Sequence, residues 1–237
     1  MMTDQQPPTN DQDTPRLNII LVPFRLEQLR LDTGHRAGTR FGNTLITGHP
    51  LAGESLDAAA SRLVIEWFGV EAQYLEQLYT LSVDRHGRRE VAIGYIVLFR
   101  QDADLRGADE RVVWSQVDHL DIHDETHRMV FDYAVVRLKA KLGYTNIAFH
   151  LLPVHFTLSE LQQTYETVLG HPVDKRNFRR RMVASGTLTK THQLRRDGNH
   201  RPAALYQFVA QDDHAAYLTP SWAAATQSHR QAQTNDD

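Results

Sequence analysis

The sequence predicts an α+β protein made of two modules, and three observations carry that prediction. Strand-like segments fill most of the first 145 residues, with only two helical patterns among them. Beyond Pro153 the order changes to helix, helix, β-hairpin. The charge changes at the same place. Residues 151–209 hold nine Lys and Arg against four Asp and Glu, while the whole chain has a net charge of −3. A basic C-terminal module on an acidic body points to a polyanionic partner for one end of the molecule.

The elements follow from local pattern. Residues 17–31 read as one strand around the apolar run Ile19-Ile20-Leu21-Val22, and residues 36–40, rich in Gly and Arg, read as loop. A short strand is expected over 43–46. Ser55 then caps a helix that runs to Phe68 and stops at Gly69. Residues 74–83 and 90–99 form two strands around a turn at His86-Gly87. Residues 111–120 are mixed in pattern. Residues 126–142 form a helix with Met129, Ala134, Val136 and Leu138 among its apolar positions.

In the second module Thr157 and Glu160 fit a capping box, with Leu158, Leu161, Tyr165 and Val168 at helical spacing and Gly170 as the stop. Asp174 caps a second helix through Ser185. Residues 188–195 and 203–208 are strands around Asp197-Gly198, a strong hairpin signal. Helix, helix and hairpin in that order describe a winged helix-turn-helix. Its third helix is either the one ending near Leu142 or a short turn at 147–151. The expected organisation is a disordered leader over 1–15, a first module over 16–145, a second over 146–210 and a disordered tail over 211–237.

Composition narrows the function. There is no cysteine, which removes disulfides, thiolate zinc sites and cysteine nucleophiles, and a reducing cytoplasm is the expected compartment. No apolar run approaches the roughly 18 residues of a membrane span. On the second basic helix Phe178 and Met182 lie four residues apart and face inward, leaving Lys175, Arg176, Asn177, Arg179, Arg180 and Arg181 for a groove of double-stranded DNA. Arginine forks match guanine edges and phosphate oxygens, and asparagine matches adenine. The wing adds Arg195, Arg196, His200 and Arg201.

A second signal lies in GHPLAGESLDAAASRLVIEWFGV, residues 48–70. Gly48, Glu54, Arg62, Glu66, Gly69 and Val70 resemble the frame of the Nudix box, G-x5-E-x7-R-E-U-x-E-E-x-G-U. Three positions that carry carboxylates in a working box hold Leu63, Glu66 and Trp67 here. They share one helical face, where hard divalent cations need clustered oxygens. With one carboxylate left, the resemblance implies no catalytic residue, no metal and no cofactor.

Together the two signals resemble the Nudix-related regulators of NAD metabolism, the NrtR-type transcription factors. The resemblance spans residues 17–210 and is most specific over 151–188, in DKRNFRRRM at 174–182 and in RPAALYQF at 201–208. It implies a Nudix-type α/β/α sandwich with a mixed sheet, followed by a winged helix. It also implies a homodimer on a partly palindromic operator, released by ADP-ribose or a related effector. The family's basic helix carries over to Lys175 through Arg181, and its wing to Arg201. The box here opens Thr47-Gly48 in place of two glycines. A metal-free diphosphate would then fall to Arg36, Arg40 and Arg62, with Glu66, Asp84 and Arg89 beside them. Two other readings stay open: a Nudix hydrolase of a nucleoside diphosphate derivative, and a DNA-binding protein whose Nudix half only dimerises.

Overall fold

The structure, a computed structural model, describes residues 15–39, 42–85, 88–196 and 202–209. In chain order the first module holds β1 (Arg16–Glu27), β2 (Arg30–Thr39), β3 (Gly42–Thr44), β4 (Ile46–Gly48), α1 (Leu56–Phe68), β5 (Tyr74–Arg85), β6 (Arg88–Leu98), β7 (Val112–Gln116) and α2 (Glu125–Leu142). A 3-10 turn, Ile147–His150, leads to α3 (Leu158–Leu169), α4 (Lys175–Ala184), β8 (Leu188–Arg195) and β9 (Ala203–Phe208).

The sheet runs β3-β2-β1-β6-β5, with β4 also on β1 and β7 also on β2. β1 and β6 are parallel and the remaining pairs antiparallel, so the sheet is mixed. Because β1 is central, its side chains feed two cores in alternation. Ile19 and Leu21 meet Ala60, Leu63, Val64 and Phe68 of α1, whereas Ile20, Val22 and Phe24 meet Val130, Phe131, Ala134 and Leu138 of α2. The result is the expected α/β/α sandwich.

The second core does not stop at the end of the sandwich. Leu138 and Leu142 of α2 join Ile147, Phe149 and Leu151, and then Leu161, Tyr165, Phe178 and Met182, in one continuous cluster. Phe156 bridges to Tyr206 of β9 through both backbone hydrogen bonds, and Phe149 stacks on Phe208 at 4.4 Å, which seats the hairpin on the helices. Both alternatives for the third helix therefore contribute, with the end of α2 and the 3-10 turn packing against α3. Capping signals landed on their residues: Ser55 caps α1 and Gly69 ends it at φ 71°, Asp174 caps α4, and Thr157 with Glu160 forms the full capping box of α3.

Three expectations need correction. The single strand over 17–31 is a hairpin, because Gln28 and Leu29 both adopt left-handed backbone (φ 46° and 62°) and reverse the chain. A two-residue turn with both φ positive usually advertises Asn-Gly, and this one does not. The loop over 36–40 is strand up to Thr39, paired with β3 from Arg36 to Thr39 and with β7 up to Arg36. On α2, Met129 and Val136 face outward and are 47% and 64% exposed, while His127 and Lys141 take inward positions. The turns at His86-Gly87 and Asp197-Gly198, residues 1–14 of the leader and the tail lie outside the described residues.

Candidate functional site

α4 is built from an inward apolar pair and an outward cationic face. Phe178 is 3% exposed and meets the Tyr165 ring edge-on at 5.0 Å, and Met182 lies one turn further along the same face. That leaves Lys175, Arg176, Asn177 and Arg180 exposed. Lys175 and Arg176 have no acidic partner among the described residues, and the helix N-terminus beside them is capped by Asp174. Arg180 donates to Asn177 Oδ1 at 3.0 Å, so these two expected DNA-facing residues hold each other. Arg179 is half-buried and donates to Ser159 Oγ at 2.8 Å, and Arg181 is half-buried with a partner of its own.

The wing arginines divide. Arg196 is exposed, whereas Arg195 is half-buried, paired with the Glu160 carboxylate and donating to the His155 carbonyl. Glu160 also completes the α3 capping box, so Arg195 ties the wing to that cap instead of presenting its charge outward. Arg201 lies outside the described residues.

In the first module the box frame is a structural clamp. Arg62 donates to both oxygens of Glu54 at 2.9 Å, to Glu66 at 2.9 Å and to the His49 carbonyl at 3.0 Å. Glu54 further accepts the Leu51 N–H, and the Arg62 guanidinium beside it holds its carboxyl down at about 2. Leu63 is 4% exposed and presses on the opening glycine, since a Cβ on Gly48 would come within 2.3 Å of Leu63 Cδ2. Trp67 meets two cations, with Arg111 4.6 Å and Arg36 5.5 Å from its ring centre.

The expected effector residues thus fall into three places. Arg62 and Glu66 form one satisfied ion pair at the box. Arg36 sits beside Trp67, one helical position past Glu66. Asp84 and Arg89 face each other across β5 and β6 near the hairpin end, both exposed. Arg40 lies outside the described residues. Sequence reasoning missed Arg111, Trp67 as an arginine platform, and Asp32 on the same side of the sheet. Nothing in the sequence brings Trp67 to Arg111, whose contact depends on β7 docking across the end of α1.

A second network lies behind the sheet. Glu76 accepts from Tyr74, Arg137 and Lys141, joining β5 to the C-terminal half of α2. Arg85 donates to both oxygens of Asp124, the α2 cap, at 2.8 and 3.0 Å. His127 is buried and accepts the Leu45 N–H on Nδ1 at 3.0 Å, and burial lowers its pKa.

Comparison with known proteins places this architecture. Residues 148–208 match the model of the NrtR DNA-binding winged helix domain. The chain is 36% identical over 166 residues to the ADPR responsive transcriptional repressor NtrR of Acinetobacter baylyi, covering 67% of this chain and 66% of that protein. The chain belongs to the NrtR family. It is also similar to the crystal structure of Shewanella oneidensis NrtR, at 26% identity and a TM-score of 0.75 over 86% of this chain and 98% of that one. The same protein complexed with a 27mer DNA gives a TM-score of 0.76 at 25% identity over the same shares. The family's two parts correspond here to the mixed-sheet sandwich and the winged helix. Among the described residues no helix is long and apolar enough to cross a membrane, and no three His, Asp or Glu gather as a metal site.

Proposed function

We propose that this protein is a DNA-binding transcriptional repressor, a homodimer whose Nudix-type module (16–145) senses ADP-ribose or a related effector and whose winged helix (146–210) binds the operator. The observation that carries this reading is the cationic face of α4. Among the described residues Lys175 and Arg176 stand exposed without acidic partners, Arg180 and Asn177 stand beside them, and Phe178 and Met182 anchor the helix from behind. That division of one helix is what insertion into a major groove requires. Arg196, exposed at the end of β8, extends the same charge to the flanking phosphates. A regulator of this kind works beside the chromosome, in the cytoplasm.

The Nudix-type module reads as a sensor without hydrolytic chemistry. Leu63 and Trp67 stand where carboxylates would hold a divalent cation. Leu63 is sealed against Gly48, and Trp67 is covered by Arg111. The remaining carboxylate, Glu66, is held by Arg62. Among the described residues this face offers no cluster of oxygens of the kind a hard cation needs, and on this reading no attacking water is activated there.

Coupling between the modules follows from the shared core. An effector shifts DNA affinity only if it binds one inter-module arrangement better than another. α2 is the element both sides hold: Val130 and Phe131 pack on the sheet, Leu138 and Leu142 reach the second module, and Lys141 and Arg137 are pinned to β5 through Glu76. Thr167 of α3 also donates to the Leu29 carbonyl in the β1–β2 turn, at 3.3 Å.

The test is fluorescence anisotropy on DNA from upstream of the protein's own gene, with and without ADP-ribose. Site-selective binding that weakens as ADP-ribose is added is the expected result. Absence of selective binding to any neighbouring promoter contradicts the repressor. Selective binding indifferent to ADP-ribose contradicts the effector and leaves the first module as a dimerisation scaffold.

A further inference from the structure

α2 is apolar on two sides. Val130, Phe131, Ala134, Leu138 and Leu142 are buried against the sheet and the second module, which accounts for one side. On the other, Met129, Tyr133 and Val136 stand 47%, 41% and 64% exposed. Their spacing of four and three residues places them on one stripe down the outer face of the helix. Elsewhere among the described residues, exposed large hydrophobics occur singly, one to an element or loop. Single ones need no explanation, whereas a stripe along one helix marks a contact surface. Tyr79 of β5 extends it, its ring 4.5 Å from that of Tyr133. β5 ends the sheet, so it and α2 lie together at one side of the sandwich.

The charges along α2 indicate what covers the stripe. Residues 125–132 hold Glu125 and Asp132 against Arg128, while residues 133–142 hold Arg137, Lys139 and Lys141 and no acid. Arg137 and Lys141 are taken by Glu76, and Asp132 pairs with Arg128 at 3.9 Å. Glu125 and Lys139 are left, both exposed and without an ion pair among the described residues. The helix rise sets them about 21 Å apart, too far to meet within one chain. Both lie on the same flank of the stripe, because their separation is close to four whole turns.

A second copy of the helix, running antiparallel, satisfies both. A two-fold axis crossing the stripe near Asp132 and Tyr133 reverses the direction and keeps each flank beside its own counterpart. Glu125 then lies across from Lys139 of the second copy, twice over, and Met129 across from Val136 of the second copy. Tyr133 comes to the axis, and Asp132 comes there with its own counter-ion, Arg128. A parallel arrangement would set Glu125 against Glu125 and Lys139 against Lys139. The antiparallel one also brings each helix N-terminus beside the other's C-terminus, which the two macrodipoles favour.

We propose that the outer face of α2 is a self-docking surface, on which two copies of this chain meet antiparallel through Met129, Tyr133 and Val136, with Glu125 and Lys139 fixing the register. This proposal rests on the homodimer reading above and names the surface that carries it. Because Leu138 and Leu142 of the same helix reach the core of the second module, its pairing also sets the two α4 helices about one axis.

Sedimentation velocity on the full chain over a range of concentrations tests it. The wild type is expected to be a dimer. Val136→Glu, which puts a charge into the apolar contact of both copies, should raise the dimer dissociation constant by on the order of a hundredfold. A far-UV circular dichroism spectrum unchanged from wild type should show that this exposed site leaves the fold intact. Glu125→Lys and Lys139→Glu should each weaken the dimer by on the order of tenfold, because two opposite pairs become like pairs. The double variant Glu125→Lys/Lys139→Glu should recover wild-type association. Within one chain both changes oppose the helix dipole, so recovery cannot come from a repaired helix. A wild type that stays monomeric overturns the surface and the homodimer reading together. A dimer indifferent to Val136→Glu and to both reversals overturns the surface and keeps the homodimer. Weakening by each reversal without recovery in the double variant overturns the antiparallel pairing.

Discussion

Arg62 on α1 and Arg176 and Arg180 on α4 are chemically alike, yet their surroundings differ in kind. Arg62 is met by two carboxylates and a backbone carbonyl, so its charge is spent inside the fold. Arg176 has no acid among the described residues, and Arg180 has only the amide oxygen of Asn177. A cation satisfied by its own chain contributes to stability, while one left open at the surface contributes little to it and remains available to a partner. Glu54 and Arg62 clamp the loop onto the helix, and on the reading proposed above the box frame of α1 has outlived its chemistry, with Leu63 and Trp67 at two of the metal positions. On α4 the same proposal keeps the frame and the chemistry together.

The comparison breaks or sharpens under substitution, beginning with the largest effect. Arg176→Ala combined with Arg180→Ala should lower operator affinity by about ten- to a thousandfold at moderate salt. It should also flatten the salt dependence by nearly one log unit for each phosphate no longer neutralised. The melting temperature should barely move. Unchanged affinity in a salt titration by anisotropy would show that these cations are no more than a solvated face.

Arg62→Ala should behave in the opposite sense. It leaves Glu54 and Glu66 without their shared cation and frees the His49 carbonyl, and unfolding titrations should show a loss of stability. Operator affinity at a temperature where the variant is folded should stay within twofold of wild type. A large loss of DNA binding from Arg62→Ala would erase the distinction drawn between the two helices.

Acid should probe the first module at the N-terminal end of α2 and at β2. Burial lowers the pKa of His127 from 6.5, and that of His35 in the same direction. Below about pH 6.5 the unfolded chain takes up these protons and the native chain does not, so stability present above that pH is lost as pH falls. His127→Gln, able to accept the Leu45 N–H without charging, should flatten the fall in melting temperature between about pH 7 and pH 5. An equally steep fall in the variant would place the acid sensitivity elsewhere.

The smallest effect belongs to the β1–β2 turn. Replacing Gln28-Leu29 by Asn-Gly suits the two positive φ angles and should stabilise the fold by about 1 kcal/mol, read as a small rise in melting temperature. No gain would mean that the contacts of Leu29, including Thr167 on its carbonyl, already offset the strain.

Much of this was legible in the chain because the signals are local. Ser55 and Gly69 bound α1, Thr157 and Glu160 start α3, and the spacing of Phe178 and Met182 sorts α4 into two faces. What escaped depends on residues far apart in sequence. Gln28-Leu29 carries no turn chemistry, so the hairpin hid inside an apolar run. Residues 36–39 look like loop by composition and become strand because β3 pairs with them, while β7 pairs with β2 up to Arg36. On α2 the apolar residues Met129 and Val136 point outward, since Val130, Phe131 and Ala134 fill the space under the helix and Lys141 is drawn inward by Glu76. At the sites, the exposed part of the basic helix could be read directly, but the recruitment of Arg195 by Glu160 could not. The same holds for Trp67, whose meaning rests on Arg111 arriving from 44 residues downstream.

The most direct test of the account follows one sample in two ways. Wild-type protein on its operator is titrated with ADP-ribose, once in EDTA and once in Mg2+, while anisotropy reports the DNA and chromatography reports the nucleotide. The account predicts that DNA is released equally in both buffers and that the ADP-ribose is recovered intact. Release that requires Mg2+ and consumes ADP-ribose would contradict it, and would return hydrolysis to the first module.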